Sequence, residues 1–286
     1  LLGEPRHSGG GELRACGRPM DLKDPWMLDT HAFAFSPAFV RESGLPERLD
    51  GTFDALVEDM DRAGVRRTIA TVFVTADDDF FESVAAGLKR RPGRLAAQLN
   101  IPPNRPQWAA SNLRAAKGDL RIAGARAAPS LFKLHPVDES LEQVWDACEA
   151  ARLPVQIVVD GSRFCDPGTL SILARARPEL SLVLSPSSPR HREGFPGLAK
   201  LPRVFFQLPG LLDGEIKARR PALLRWALRH LPAERLMFGS DRLGREASYF
   251  EKVNALRQVP PGVRRQVARE TALEVYGDRL ASWRGP

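Results

Sequence analysis

From position 26 onward, short runs of apolar residues alternate with longer stretches whose apolar positions recur every three or four residues. The short runs fall at 26–31, 68–74, 94–101, 122–127, 154–159, 180–184, 203–208 and 235–239, and several are rich in Val, Ile and Phe and stop at Gly, Pro, Asp or Ser. Runs that are apolar on both faces predict buried parallel strands. The helical patterns between them cover 51–63, 79–91, 141–151, 169–176, 221–231 and 262–276. In 141–151, Leu141, Val144, Trp145 and Cys148 share one face, and Ser140 with Gln143 predicts a capping box. Eight strands alternating with helices predict a single-domain (β/α)8 TIM barrel over residues 26–286. An open doubly wound sheet, the alternative, brings a glycine-rich phosphate loop after its first strand, and none is present. Residues 1–25 are rich in Gly, Arg and Pro without a period and are expected to form a flexible N-terminal extension.

Composition narrows the function classes. The 286 residues are 43% hydrophobic and 27% charged, with a mean hydropathy of −0.27, which excludes wholesale disorder. No run approaches the ~18–20 apolar residues of a membrane span, and residues 1–25 lack the apolar segment of a secretion signal. Cys16, Cys148 and Cys165 are scattered, which excludes a disulfide scaffold and a cysteine zinc cluster and predicts a cytoplasmic setting. The net charge of +7 raises the question of nucleic acid. The basic residues, however, are spread along the chain in short pairs such as Arg66-Arg67 and Arg264-Arg265, without stacking aromatics, and predict a solvated basic surface with no nucleic-acid partner.

In such a barrel the chemistry sits at the C-terminal ends of the strands. The first run ends Leu28-Asp29-Thr30-His31-Ala32-Phe33 and the last Phe238-Gly239-Ser240-Asp241. Barrel closure makes these strands neighbours, so His31 and Asp241 can meet. A carboxylate beside an imidazole can act as a general base, polarise a water or hold a metal. The plainer alternatives are a structural histidine, and an aspartate that caps a loop or pairs with Arg242 or Arg245. Candidate cations are Arg126 at the end of the fourth run, Lys133 and His135 in the following segment, and Arg163 after the fifth. Two registers fit the fourth strand: one ends at Arg126, the other is an extended 132–136 with Lys133 and His135 on one side. His191 lies in a polar loop and His230 at a helix end. There is no P-loop, Gly-x-Ser-x-Gly elbow or His-Glu-x-x-His motif.

The chain resembles the amidohydrolase-related family, the branch of the amidohydrolase superfamily that includes decarboxylases, hydratases and lactonases. The resemblance rests on Leu28-Asp29-Thr30-His31, Leu153-Pro154-Val155, Arg235-Leu236-Met237-Phe238-Gly239-Ser240-Asp241 and the closing stretch 267–277, and covers nearly all of 26–278. Metal-holding members carry His-x-His after strand one and further histidines near the ends of strands five and six; here those places hold Phe33, Val158 and Pro186. Zinc takes three protein ligands even in catalytic sites. The resemblance therefore implies an eroded metal site with no tightly held cofactor, zinc or manganese requiring the unusual set Asp29, His31, Asp160 and Asp241. Some relatives, pyrone-dicarboxylate lactonases among them, hydrolyse without a metal and use the strand-eight Asp as base. By resemblance, Asp241 is the catalytic general base, His31 orients the water or polarises a carbonyl, and Arg126, Lys133, His135 and Arg163 bind a small carboxylated or carbonyl-bearing substrate of a hydrolase or lyase. Arg126 stands where relatives often place an Arg, whose fork suits a carboxylate. The competing expectation is an inactive barrel serving as a binding or partner subunit, with Phe33 and Pro186 filling the mouth. Family members often form homodimers, and no segment here locates such an interface.

Overall fold

The computed structural model describes residues 27–35, 39, 51–73, 80–89, 91, 93–119, 121–188, 190–208, 222–243, 247–256 and 259–280. The proposed extension 1–25 lies outside them, as do Cys16 and Arg245. In chain order the elements are β1 (Leu28–Phe35), α1 (Phe53–Ala63), β2 (Arg67–Phe73), α2 (Phe80–Lys89), β3 (Leu95–Ile101), α3 (Pro106–Ala115), β4 (Ile122–Ala127), α4 (Glu142–Ala151), β5 (Val155–Val159), α5 (Pro167–Ala176), β6 (Leu182–Pro186), α6 (Phe195–Leu198), β7 (Val204–Gln207), α7 (Ala222–His230), β8 (Leu236–Met237), α8 (Ala247–Ala255), α9 (Pro261–Arg265) and α10 (Thr271–Leu280). The strands form one parallel sheet in the order β1 to β8. Its ends meet: Thr30 N–H donates to the Phe238 carbonyl at 3.0 Å, Phe33 N–H to that of Arg242 at 2.8 Å, and Ala32 bridges to Arg242. The fold is the expected (β/α)8 barrel.

Alternation along the strands sorts the side chains into two layers. Ala70, Val72, Val155, Ile157, Leu182 and Leu184 pack outward with Leu56, Met60, Leu113, Trp145 and Leu173 of the helices. Inward, Leu28, Ile69, Ala96, Ala123, Val183, Phe205 and Met237 form a floor covered by Ala272, Tyr276 and Leu280 of α10. Between floor and mouth lies a buried polar layer of Thr30, Thr71, Gln98, Gln156 and Gln207. Four of these come from β1, β3, β5 and β7, the alternate-strand layering typical of this fold. Gln98 Nε2 donates across the interior to Gln156 Oε1 at 2.5 Å, and Gln207 Nε2 to Thr30 Oγ1 at 2.9 Å.

The helix ends follow local chemistry. Thr52 Oγ1 accepts from Ala55 N–H at the start of α1, and Gly64, at φ 74°, closes it in the left-handed region. Asp166 caps α5 through Gly168 and Thr169 N–H. The expected Ser140–Gln143 capping box does not form. Asp138 instead accepts from both Ser140 N–H and Oγ and caps a short 3₁₀ turn that precedes α4. The sequence pattern does not predict helices α3, α6 and α8; α3 buries Leu113 with the small Ala109 and Ala110, which leaves a faint helical period. β1 runs four residues further than its apolar run, to Phe35, because bonds to Arg242 and Gly51 extend it.

Candidate active site

The pairing of β1 with β2 shifts register between Asp29 and Ala32, so Thr30 and His31 form a bulge, a device that re-aims a side chain. Opposite it, the chain leaving β8 turns sharply, with Asp241 at φ 54°, a left-handed conformation uncommon for a non-glycine residue. Several bonds hold this turn. Ser240 and Asp241 N–H donate to the His31 carbonyl at 3.0 and 2.8 Å. Asp29 Oδ1 accepts from both His31 N–H (3.1 Å) and Ser240 N–H (2.9 Å), and its Oδ2 accepts from Ser240 Oγ at 2.6 Å. Buried Lys252 of α8 donates to the Ser240 carbonyl at 2.6 Å. Arg242, wholly buried, turns away from Asp241 and pairs with Asp59 of α1 at 2.7 Å. A Cβ on Gly239 would lie 3.1 Å from the His31 Cβ, so the two segments approach as closely as a residue without a side chain allows.

This scaffold sets His31 Nε2 2.9 Å from Asp241 Oδ1, with the imidazole 1% and the carboxylate side chain 35% exposed. On its other side His31 Nδ1 lies 3.3 Å from Thr71 Oγ1 of β2, which accepts from Gln98 Nε2 at 3.4 Å. The Phe33 ring meets the imidazole edge-on at a centroid distance of 4.7 Å. Arg126 of β4 places its guanidinium 5.2 Å from the Phe33 ring centroid and donates from Nη1 to Asn100 Oδ1 at 3.0 Å, while its buried Nε has no partner.

Burial sets the charges. It lowers the His31 imidazole, assisted by Arg126 and Lys252 and opposed by the hydrogen bond and charge of Asp241. Burial would raise the Asp241 carboxyl, but the His31 hydrogen bond and the nearby charges outweigh it and bring it to about 2. Arg126 is drawn down to about 10 by burial, against the pull of Asp241, and stays cationic. The result is a neutral imidazole, a permanent carboxylate and a guanidinium acting on one another at the strand ends. Such a group can take a proton from water and hold a developing oxyanion or a carboxylate.

Of the other sequence candidates, Lys133 and His135 sit on the segment that follows β4 and Arg163 on the turn that follows β5. Segment 132–136 is not extended: Pro129–Phe132 forms a 3₁₀ turn capped by Lys133, exposed at φ 57°. That corrects the alternative register, since β4 ends at Ala127. His135 and exposed Arg163 gather around Phe164, with His135 5.2 Å and Arg163 5.0 Å from its ring. His191 Nε2 meets the Gly161 carbonyl at 3.1 Å, and His230 Nδ1 meets that of Trp226. Cys148 and Cys165 are free and buried, and burial pushes both thiols up, the latter to about 12. Sequence reasoning passed over Thr71, Gln98, Asn100, Gln156 and Lys252. The available signal was a polar residue at the inward position of an otherwise apolar strand.

A divalent metal finds no fitting donor set. Among the described residues no three His, Cys, Asp or Glu converge. His31 and Asp241 are bonded to each other, Asp29 is turned to Ser240 and the His31 N–H, and Asp160 accepts from Ser162 N–H at 2.9 Å in the loop after β5. The Phe33 ring stands against the imidazole, where a second ligand would be required.

A closed (β/α)8 barrel with an imidazole–carboxylate pair at its C-terminal strand ends is the class that this fold and site define. The amidohydrolase family profile matches residues 29–277, and the chain belongs to that family. Solved structures share the fold at low identity. The 5-carboxyvanillate decarboxylase of Sphingomonas paucimobilis is 15% identical over 89% of this chain and 99% of its own, with a TM-score of 0.64. A probable 2-pyrone-4,6-dicarboxylic acid hydrolase from Acinetobacter baumannii, solved with citric acid bound, is 14% identical over 88% and 99%, with a TM-score of 0.65. A 5-carboxyvanillate decarboxylase from Novosphingobium aromaticivorans, solved with manganese and a nitrobenzoic acid, is 12% identical over 88% and 97%, with a TM-score of 0.61. Comparison with curated protein sequences returns no match. No helix among the described residues is long and apolar enough to cross a membrane.

Proposed function

We propose that this barrel is a metal-independent hydrolase or lyase of the amidohydrolase family, acting on a small carboxylated substrate with Asp241 as general base. The His31–Asp241 contact of 2.9 Å carries the reading. His31 holds one carboxylate oxygen and leaves the other for a water or an acidic substrate proton. Arg126, with its unpartnered Nε, receives a substrate carboxylate or the oxyanion of an attacked carbonyl. Substrate covering the mouth removes the remaining exposure of Asp241, and the loss of water raises its basicity. The named substrates of the structural relatives, a carboxylated vanillate and a pyrone dicarboxylate, support this chemical class.

The inactive-subunit alternative needs Phe33 and Pro186 to seal the mouth. Both are buried, yet the Asp241 side chain keeps 35% exposure, which favours the enzyme. The test is Asp241→Asn, assayed against a panel of lactone dicarboxylates and hydroxybenzoates. Turnover should fall by about a thousandfold or more, while circular dichroism and the melting midpoint stay near wild type. Persisting activity refutes the assignment.

A further inference from the structure

The bonds around His31 continue into the barrel interior as a chain through Thr71 and Gln98 to Gln156. Gln98 Nε2 carries two hydrogens and faces two acceptors, Gln156 Oε1 at 2.5 Å and Thr71 Oγ1 at 3.4 Å. With Thr71 Oγ1 accepting a hydrogen bond from Gln98, its own hydroxyl hydrogen is free to be donated to His31 Nδ1 at 3.3 Å. An Nδ1 that accepts cannot carry the ring proton, which therefore sits on Nε2 and points at Asp241 Oδ1. Thr71, Gln98 and Gln156 are fully buried, so no bulk water competes for these bonds.

We propose that Thr71, oriented by Gln98, is a positioning residue that sets the tautomer of His31 so that its Nε2–H, and not a lone pair, faces Asp241. The proposal deepens the reading of His31 and Asp241 as the reacting pair and rests on it. The opposite tautomer would set a lone pair against the carboxylate, which would have to be protonated to keep the contact, and the base would be lost. The charged groups acting on His31 are Asp241 after β8, Arg126 on β4 and Lys252 on α8. Asp241 meets Nε2 and the Thr71 hydroxyl meets Nδ1, so the two contacts favour the same tautomer from opposite edges of the ring.

The experiment is ¹⁵N NMR of the full chain labelled at histidine. The sequence has five histidines, and His31 is assigned by loss of its signals in His31→Asn. In the wild type, the expected His31 pattern is a protonated Nε2 and an unprotonated Nδ1 from pH 6 to 8. A protonated Nδ1 overturns the proposal. Thr71→Val keeps the shape and removes the hydroxyl; it should give mixed tautomers and move the His31 titration, and Thr71→Ser should restore both. An unchanged tautomer and titration in a folded Thr71→Val also overturns it. If Thr71→Val does not fold, Thr71→Ala, which removes the same hydroxyl, is read in its place. With a turned-over substrate in hand, Thr71→Val should lower kcat by about tenfold or more with little change in KM. The tautomer is read without turnover, so a wild-type protein that shows it but lacks activity sinks the enzyme reading and not this one.

Discussion

Asp29 illustrates how one side chain can serve a site without entering it. Sequence reasoning offered it as a metal ligand, but its two oxygens tie the His31 backbone to Ser240, the residue beside Asp241. Burial raises its carboxyl to about 6 against those bonds and the charge of Lys252. A folded-state value above the ordinary 3.8 means that the fold favours the protonated form. That contribution is whole below pH 3.8 and is lost as the pH rises through 6. Asp241 works in the opposite sense: its value of about 2 gives stability above pH 3.8 that is lost as the pH falls toward 2. Urea midpoints measured from pH 3 to 7 should therefore contain a decline between pH 4 and 6 on the order of 2 kcal/mol, absent in Asp29→Asn. A decline of the same size in the variant would show that another group causes it.

At the scale of elements, the site depends on how β4 and β5 pack over the closing helix α10. Gly124 in β4 leaves no room for a side chain: an added Cβ would lie 2.8 Å from the Pro154 carbonyl oxygen and 3.4 Å from the Tyr276 ring. Gly124→Ala should push these strands apart at a cost of about 1–3 kcal/mol, read as a melting midpoint several degrees lower. An unchanged midpoint would mean that the strands move apart freely. The strands were legible because their Val, Ile, Leu and Phe are needed by both barrel layers, and β4 matches its apolar run to the residue. Helix α3 was hidden, since Ala109 and Ala110 bury little area and mark no face. The Ser140 capping box failed for a local reason: Asp138 competes for the same Ser140 groups two residues earlier.

For the molecule as a whole, the loss of three expected histidines has its counterpart in the packed mouth. Phe33 holds the space beside His31, and Arg126 brings a fixed positive charge over that ring. Protein purified without chelator should carry far less than one equivalent of zinc or manganese. EDTA treatment should leave its melting midpoint and any turnover unchanged; restoration of activity by added manganese would overturn this. The sequence by itself determined the barrel, the two strand ends that carry His31 and Asp241, and the absence of the other metal-binding histidines, because periodicity and residue identity are local properties of the chain. Only the tertiary structure decided that the two groups touch, that Asp29 braces them from behind and that Thr71 and Gln98 address the far side of the imidazole. Those relations join residues 40 to 211 positions apart, and barrel closure and a strand bulge, which no local pattern encodes, bring them together.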